Sequence, residues 1–360
     1  MPKGYLGRVL YVNLSERKVE TREICGESVL RKFNGGYGLG LYYLMDLVKP
    51  GIRPSDPECP LIFFTGPLTG TSAPAATNLC AVSINAENSY TAGRSHTHGF
   101  SGVNLKWAGY DGIILTGCCE QEPLYLAITD DGTELKSALD LWGKKDAYET
   151  QDILAEKHGF KKRGECSVLS IGQAGENLVD GAMICNDKNH SMSHSGMGTV
   201  MGSKRLKAIL VSGKPKQMPL SDPVLYKDIA RRWRSVVLDE SVAAVVAQGA
   251  IPKSEMKGLK EMGLLTHNNL SGEPFPEYAL GLAKNKITPT PCWQCPIACN
   301  YKYEVIYGPE KGLIAYNCGG AENMEGVGSN LGIAEPGQNI ALLDMCDRYG
   351  LESGHVGCAI

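Results

Sequence analysis

Residues 61–70 of the chain are LIFFTGPLTG, four apolar residues and a threonine followed by a turn that contains two glycines and a proline. A short apolar run that ends in glycine and proline is typical of a buried β-strand, because these two residues interrupt regular structure. Such a turn also leaves backbone N–H groups accessible to an anionic ligand. The segment therefore predicts a sheet whose strand ends carry turns suited to ligand binding.

Further strand patterns lie on both sides of this segment. Alternating or apolar runs predict strands at residues 5–14, 19–24, 78–84, 112–116, 124–128, 166–171 and 206–212, and helical spacing occurs at 27–32 and 148–158. After residue 213 the pattern becomes helical, over 222–248 and 338–349. We predict an α+β protein with a β-rich domain at residues 1–212 and a mostly α-helical region at 213–360. Because the chain ends directly after a helix, we expect that the second region is incomplete.

Composition limits the classes of function. The 360 residues carry a net charge of −3, which gives no reason to expect a nucleic-acid partner. No apolar stretch approaches the ~18 residues of a membrane span. The 13 cysteines are odd in number, and most are isolated in apolar runs, which argues against a disulfide framework and predicts a reducing, cytoplasmic location.

The strongest local motif is C-x2-C-x3-C, formed by Cys292, Cys295 and Cys299. A tight loop can aim thiolates at this spacing toward one metal centre, and three thiolates with a nearby proline are typical of a [4Fe–4S] cluster, which needs four protein ligands. Zinc is the competing metal, but no second C-x2-C or H-x3-H pair follows. The spacing does not identify a fourth ligand, since none of the later cysteines shows a motif: Cys318, Cys346 and Cys358.

Glycine-rich turns form a second signal, at residues 66–74, 96–102 and 190–202. Each of them alone is compatible with a plain surface turn. Together they favour a large, phosphate-bearing cofactor, although the chain has neither a P-loop motif nor a clear G-x-G-x-x-G motif.

Several blocks in this order resemble the aldehyde:ferredoxin oxidoreductases, which are tungsten or molybdenum bis-pterin enzymes. They are GPLTGT (66–71), LKWAGYD (105–111), IGQAGENL (171–178), VMGSKRLKAI (200–209) and the cysteine motif. The resemblance extends from residue 5 to the last residue and covers the first part of the longer family sequence. It implies a β-rich domain that forms the base for two pterin-dithiolenes, followed by helical domains that cover the metal.

The resemblance also implies roles for individual residues. Cys292, Cys295 and Cys299 correspond to three of the four cluster ligands, and the family's fourth cysteine lies beyond residue 360. Asp347, Gly350 and Leu351 match a D-x-x-G-L pterin motif, and Glu322 corresponds to a glutamate near the metal, where it would act as a general base. The remaining positions expected to contact the cofactor are Asn78, His96, Thr97, Gly99, His190, Ser195, Gly196 and Gly198.

The chain departs from the family at several of these positions. Asn78 replaces an arginine, His96 replaces an asparagine, and residues 190–196 replace a segment rich in glycine and arginine. Since arginine binds phosphate through two parallel hydrogen bonds and asparagine does not, we expect altered phosphate contacts. Cys318 lies where the tungsten subunit of benzoyl-CoA reductases, a branch of the family, has a metal-ligating cysteine. The alternative for Cys318 is a free buried thiol.

The expected activity is oxidation of a small aldehyde to a carboxylic acid, with electrons passing through the cluster to ferredoxin or another low-potential carrier. One alternative is the tungsten subunit of an aromatic acyl-CoA reductase. Another is a truncated chain that is inactive or depends on a partner, and a homodimer or an added iron–sulfur subunit is compatible with either enzyme. We also predict that the three cysteines face one site, that Glu322 and Cys318 point to the metal, and that residues 96–102, 190–198 and 347–351 line one cleft.

Overall fold

Two six-stranded sheets form the framework of residues 1–213. The computed structural model describes residues 1–88, 91–188, 190–240, 285–318, 326–333 and 335–360. The first sheet contains β1 (Arg8–Asn13), β2 (Lys18–Glu23), β3 (Leu61–Thr65), β4 (Leu79–Ile84), β5 (Ala92–Thr97) and β6 (Gly112–Thr116). Their order is β2-β1-β6-β3-β4-β5, and only β1 and β6 among these neighbours run parallel.

The second sheet contains β7 (Leu124–Thr129), β8 (Gly132–Ser137), β9 (Ser167–Ser170), β10 (Ile184–Asn186), β11 (His190–Met192) and β12 (Leu206–Val211). Its order is β11-β10-β9-β12-β7-β8. The helices of this part are α1 (Glu27–Phe33), α2 (Gly36–Leu47), α3 (Ser101–Ala108), α4 (Ala147–Lys157), α5 (Gln173–Glu176) and α6 (Met197–Ser203). Helix α4 begins with a capping box between Asp146 and Glu149, which explains its sharp start.

The main hydrophobic core lies between the two sheets. It joins side chains of β3 and β6, such as Phe63 and Ile113, to side chains of β7 and β12, such as Leu126 and Ile209. Helices α1 and α2 cover the outer face of the first sheet, and α4 covers the outer face of the second. Strands buried on both faces consist almost entirely of apolar residues, which is why LIFFT predicts β3 without error in its bounds.

A buried ion pair joins α3 to the loop before β6. Lys106 is fully buried and contacts Asp111 through Nζ and Oδ1. Asp111 Oδ2 accepts hydrogen bonds from the backbone N–H groups of Leu6 (2.8 Å) and Gly7 (2.7 Å), and Lys106 Nζ donates to the carbonyl of Gly4 (2.9 Å). The pair therefore ties the N-terminal segment to the first sheet.

After residue 213 the described structure contains helices α7 (Pro223–Asp239), α8 (Pro336–Tyr349) and α9 (Ser353–Ala359). It also contains a three-stranded antiparallel sheet of β13 (Lys286–Pro289), β14 (Asn300–Glu304) and β15 (Ile314–Cys318), which the sequence analysis did not predict. Tyr301 and Tyr303 of β14 pack with Ile340 and Leu343 of α8 in a separate core. The α+β class is confirmed, and the second region adds a small sheet to its helices.

Candidate functional site

The cysteine motif lies in the loop that connects β13 to β14. The ladder between these strands closes at the pair Pro289 and Tyr301, so the loop begins and ends at neighbouring points. Gln294 and Ala298 within the loop have positive φ values of 53° and 51°, which turn the chain back on itself twice. The loop is therefore a compact turn that presents three thiols over a short length of chain.

This loop packs on the strand-end turns of the first domain. Arg163 donates hydrogen bonds to two carbonyls at the beginning of the loop, at 2.7 and 2.9 Å. The Trp293 indole N–H donates to the carbonyl of Thr71 (3.0 Å), and its backbone N–H donates to that of Gly99 (3.4 Å). The cysteines are thus held against the two turns that follow β3 and β5.

A cavity of about 370 Å³ lies between the loop and the first domain. Four of the chain's seven histidines line it together with the three cysteines of the motif: His96, His98, His190, His194, Cys292, Cys295 and Cys299. Within the described ranges, no three His, Cys, Asp or Glu side chains are grouped closely enough to hold a single metal ion. The assignment of the three cysteines as cluster ligands remains a prediction.

Cys292 and His190 are in direct contact inside this cavity. Cys292 Sγ lies 3.6 Å from His190 Nε2, and the Asn300 side-chain amide lies 2.8 Å from the other ring nitrogen of His190. Burial lowers the pKa of His190 to about 3, so its imidazole is neutral at physiological pH. Burial raises the pKa of Cys292 to about 12, while a backbone hydrogen bond from Gly99 opposes this rise. The thiol becomes a metal ligand only when a cation compensates the loss of its proton.

A second cavity, of about 450 Å³, adjoins the first. Ala75, Thr77 and His96 line both cavities, and the second is also bounded by Asn78, by Arg94 and by the beginning of α2. Burial, followed by the nearby charges of Arg94 and His194, lowers the pKa of His96. Thus the predicted residues Asn78 and His96 belong to one continuous pair of cavities.

Other predicted cofactor-binding residues have structural contacts in this region. Thr97 Oγ1 is buried beside the Asn186 amide at 3.4 Å. Ser195 Oγ accepts a hydrogen bond from the backbone N–H of Arg94 (3.2 Å) and donates one to its carbonyl (3.1 Å). These two side chains join the neighbouring strand-end loops to each other.

Two of the predicted glycines are required by packing at the start of α6. A Cβ atom at Gly196 would lie 2.1 Å from the carbonyl oxygen of Asp180, and one at Gly198 would lie 2.4 Å from that of Met183. Neither glycine is among the residues that line the two cavities. Their part in cofactor binding stays a prediction, whereas their steric role follows from the backbone.

Residues 347–351 are not among the residues that line the cavity shared by the first two predicted segments, and their place in one common cleft stays a prediction. Asp347 instead accepts a hydrogen bond from Tyr148 through its carboxylate (2.9 Å), and burial raises its pKa to about 8. The carbonyl of Gly350 accepts from the N–H of Met183 (2.9 Å), and Leu351 forms a β-bridge with Ala182. The segment joins α8 to the edge of the second sheet.

Two further predicted residues, Glu322 and Cys318, lie beyond or at the end of a described segment. Glu322 is outside the described residues. The backbone of Cys318 ends β15 and pairs with Asn300, the residue directly after Cys299, while its side chain is outside the description. Residues that the sequence analysis missed are His98, His194 and Arg94. The alternation of Arg94 and His96 in β5, continued by His98 directly after it, is the signal that could have identified two of them.

Two further observations bear on the class of protein. No helix among the described ranges is long and apolar enough to cross a membrane. Every cysteine whose side chain the structure describes is a free thiol.

Comparison with known proteins identifies the same family along most of the chain. A family model described as aldehyde ferredoxin oxidoreductase, N-terminal domain, matches residues 9–213, and one described as domains 2 and 3 of that enzyme matches residues 229–360. These matches confirm the resemblance inferred from the motifs.

Similar curated proteins include the tungsten-containing aldehyde ferredoxin oxidoreductases of Thermococcus kodakarensis (34% identity) and Pyrococcus furiosus (33%). In both alignments 98% of this chain and 57% of the relative are covered, so the chain spans little more than half the length of these relatives. The WOR-like subunit of the aliphatic sulfonate oxidoreductase of Pyrococcus furiosus is 31% identical, over 98% of this chain and 58% of the relative.

Among solved structures, the active site complex BamBC of benzoyl coenzyme A reductase, bound to 1,5 dienoyl-CoA, is similar to the chain with a TM-score of 0.80 and 26% identity. The match covers 98% of this chain and 54% of that chain.

Proposed function

This chain belongs to the aldehyde ferredoxin oxidoreductase family, and on that premise we propose that it binds a tungsten or molybdenum bis-pterin centre and a [4Fe–4S] cluster in an oxidoreductase. The proposed reaction oxidises an aldehyde to a carboxylic acid and passes two electrons to ferredoxin or a similar carrier. The observation that carries the proposal is the cavity in which the three cysteines meet β5 and β11, the strands that contain His96 and His190.

The donor set of the first cavity fits an iron–sulfur cluster. Cys292, Cys295 and Cys299 would ligate it, and the hydrogen bond from Gly99 to Cys292 is of the kind that tunes cluster potentials. Zinc is the competing metal, since four-cysteine zinc sites also use C-x2-C pairs. The C-x2-C-x3-C spacing and the absence of a second C-x2-C or H-x3-H pair later in the sequence favour the cluster.

The second cavity fits a polar, phosphate-bearing cofactor. Asn78 and His96 line it, and Thr77 places there a buried hydroxyl that has no partner among the described residues. When bound, the pterin-held metal would supply two-electron redox chemistry, and the cluster would carry electrons one at a time. The protein's own contribution is to position the substrate, exclude water and move protons.

Glu322 is our proposed general base. A carboxylate near the metal can accept a proton from water or substrate during aldehyde oxidation. In the full enzyme, Glu322→Gln should keep its metal while turnover falls about 10²-fold or more, on the usual scale of general acid–base catalysis. Unchanged turnover would refute the catalytic role, and loss of metal would show that Glu322 is structural.

The similarity to the benzoyl coenzyme A reductase complex favours a second candidate function, reduction of an aromatic acyl-CoA ester. Cys318 is the residue on which this candidate depends, and its backbone pairs with Asn300 at the end of the cysteine loop. Cys318→Ser separates the candidates. If aldehyde turnover survives the substitution unchanged, the acyl-CoA candidate loses its support within this chain.

The deciding experiment is metal and cofactor analysis of the anaerobically purified protein. We expect tungsten or molybdenum together with about four iron atoms, the content of one cubane, and an electron paramagnetic resonance signal after reduction. Aldehyde-dependent reduction of a viologen dye and reduction of an aromatic acyl-CoA ester are then measured side by side. Zinc in place of iron would overturn the proposal.

A further inference from the structure

The second cavity is a basic pocket. Its lining includes Arg94 and His96, and the described residues place neither aspartate nor glutamate on its walls. We infer that this cavity is a phosphate- or diphosphate-binding site in which Arg94 and the N-terminus of α2 hold the anion, in place of the arginine that Asn78 replaces. The identification of this anion with the pterin cofactor's phosphate rests on the proposed function.

Arg94 is positioned for a ligand rather than for a protein partner. Its guanidinium lies over the Tyr37 ring at 5.1 Å, and the described residues offer it neither an ion pair nor a side-chain hydrogen bond. Its backbone is fixed by both hydrogen bonds to Ser195 Oγ. By contrast, Arg22 stacks on Tyr11 at 4.2 Å but also pairs with Glu20. An arginine that is stacked but unpaired keeps its fork of N–H groups available for a phosphate.

Helix α2 opens onto the same cavity. Its N-cap residue, Gly35, has no side chain to cap the helix, and its first turn contains no acidic residue. A Cβ atom at Gly35 would lie 2.8 Å from the carbonyl oxygen of Thr65 and 2.9 Å from Gly66 Cα, so a larger residue does not fit there. The first N–H groups of a helix lack partners within the helix, and they carry the positive end of its dipole. This end of α2 is therefore suited to an anion.

Thr77 supplies independent evidence for a ligand. It is only 1% exposed, its Oγ1 has no hydrogen-bond partner among the described residues, and it lines the cavity. A buried hydroxyl without a partner is unfavourable. A phosphate oxygen in the cavity would accept a hydrogen bond from the Thr77 hydroxyl. The hydroxyl of Thr77 and the guanidinium of Arg94 would therefore bind the same kind of ligand, an anion.

The strand register places Arg94 on the same face of the sheet as Asn78. Val82 pairs with Arg94 and Cys80 pairs with His96 across the antiparallel ladder, so these side chains project from one face of the sheet. Asn78 continues the same face two residues before Cys80 and lines the same cavity. Arg94 therefore supplies a positive charge in the same pocket as Asn78.

The test uses the protein expressed in a host that cannot make the pterin cofactor, with inorganic pyrophosphate titrated by calorimetry. Arg94→Gln should weaken binding about tenfold or more, the scale of one charge-assisted hydrogen bond. The matched control, Arg22→Gln, removes another arginine that stacks on a tyrosine and should leave binding unchanged. Equal binding by wild type and Arg94→Gln overturns the inference, as does equal weakening by both substitutions, which indicates unspecific attraction.

A second variant and a second readout complete the test. Thr77→Val removes the orphaned hydroxyl with little change in volume, and it should weaken pyrophosphate binding while leaving the urea midpoint unchanged or raised. In protein from a host that makes the cofactor, pterin released and measured by fluorescence should fall in Arg94→Gln and not in Arg22→Gln. Wild-type protein that binds pyrophosphate through Arg94 but carries no pterin would uphold the anion site and refute the proposed cofactor.

Discussion

Replacing Gly99 by alanine should destabilise the protein in two ways, by straining the backbone and by crowding the side chains beside the cysteine cavity. Gly99 has φ +81°, and an added Cβ would lie 2.7 Å from Asp187 Oδ2 and 2.9 Å from His190 Cδ2. The left-handed conformation costs an alanine about 1–2 kcal/mol, and overpacking at a tight site typically adds about 1–3 kcal/mol. We therefore expect Gly99→Ala to lower the free energy of unfolding by about 2–5 kcal/mol.

The matched control is Gly159→Ala. Gly159 has φ +80°, nearly the same as Gly99, but its added Cβ would meet no atom within 4 Å. Gly159→Ala should therefore lower the free energy of unfolding only by the cost of the left-handed backbone conformation, about 1–2 kcal/mol. Both values come from urea unfolding followed by circular dichroism on the cofactor-free protein. The difference between the two variants isolates the steric contact with His190 and Asp187.

Iron content provides the functional side of the same experiment. Displacing His190 or the Gly99 backbone changes the surroundings of Cys292, which both of them contact. Gly99→Ala should therefore hold less iron after anaerobic purification, and Gly159→Ala should hold the wild-type amount. Equal losses of stability and unchanged iron in both variants would show that the cavity described here does not house the cluster.

Three further substitutions test separate parts of the structure. Cys292→Ser should abolish cluster assembly, measured as iron per chain, whereas Cys25→Ser, at a half-buried thiol away from the cavity, should not. Asp111→Ala leaves Lys106 charged and buried without its partner, so urea unfolding should show a loss of about 3–5 kcal/mol. Burial raises the pKa of Asp347 to about 8, so between about pH 4 and pH 8 the folded protein holds a proton that the unfolded chain has released. The free energy of unfolding therefore falls as the pH rises through this range. Wild-type stability relative to Asp347→Asn should fall across that range by up to about 1.4 kcal/mol per pH unit, and a constant difference would contradict the buried carboxyl.

The strands of the first domain could be predicted because burial leaves a direct trace in sequence. Strands β3 and β6 are apolar over nearly their whole length, and their predicted bounds match the structure. Helix α2 was missed for the opposite reason. Its glycines disfavour a helix in isolation, yet a Cβ at Gly40 would lie 2.4 Å from Val82 Cγ2. Close packing of α2 on β4 requires the residues that obscure it, and single-sequence patterns do not contain that tertiary constraint.

The part of the candidate site whose residues are close in sequence could be predicted. The part whose residues are brought together only by tertiary structure could not. The cysteine spacing predicted a compact loop that binds a metal centre; the loop is compact, and its metal binding stays a prediction. Arg94 was missed because residues 92–95 were given no interpretation and the predicted turn began at residue 96. In β5, buried Gly93, Ser95 and Thr97 alternate with Arg94 and His96, which line the cavities. Residues 347–351 carry a motif whose surroundings depend on how α8 meets the second sheet, and no local pattern encodes that contact.

The wall of Ala75, Thr77 and His96 that the two cavities share has a thermodynamic consequence. A charged group in one cavity changes the electrostatic environment of the other across a single layer of side chains, where the low dielectric of the interior screens little. By linkage the effect is reciprocal: a ligand in the first cavity changes the affinity of the second cavity for its ligand, and the second ligand changes the affinity of the first cavity by the same factor. Affinities and reduction potentials measured with one cavity filled will therefore differ from those of the doubly loaded protein, and the order in which the cavities are filled will affect how readily assembly proceeds.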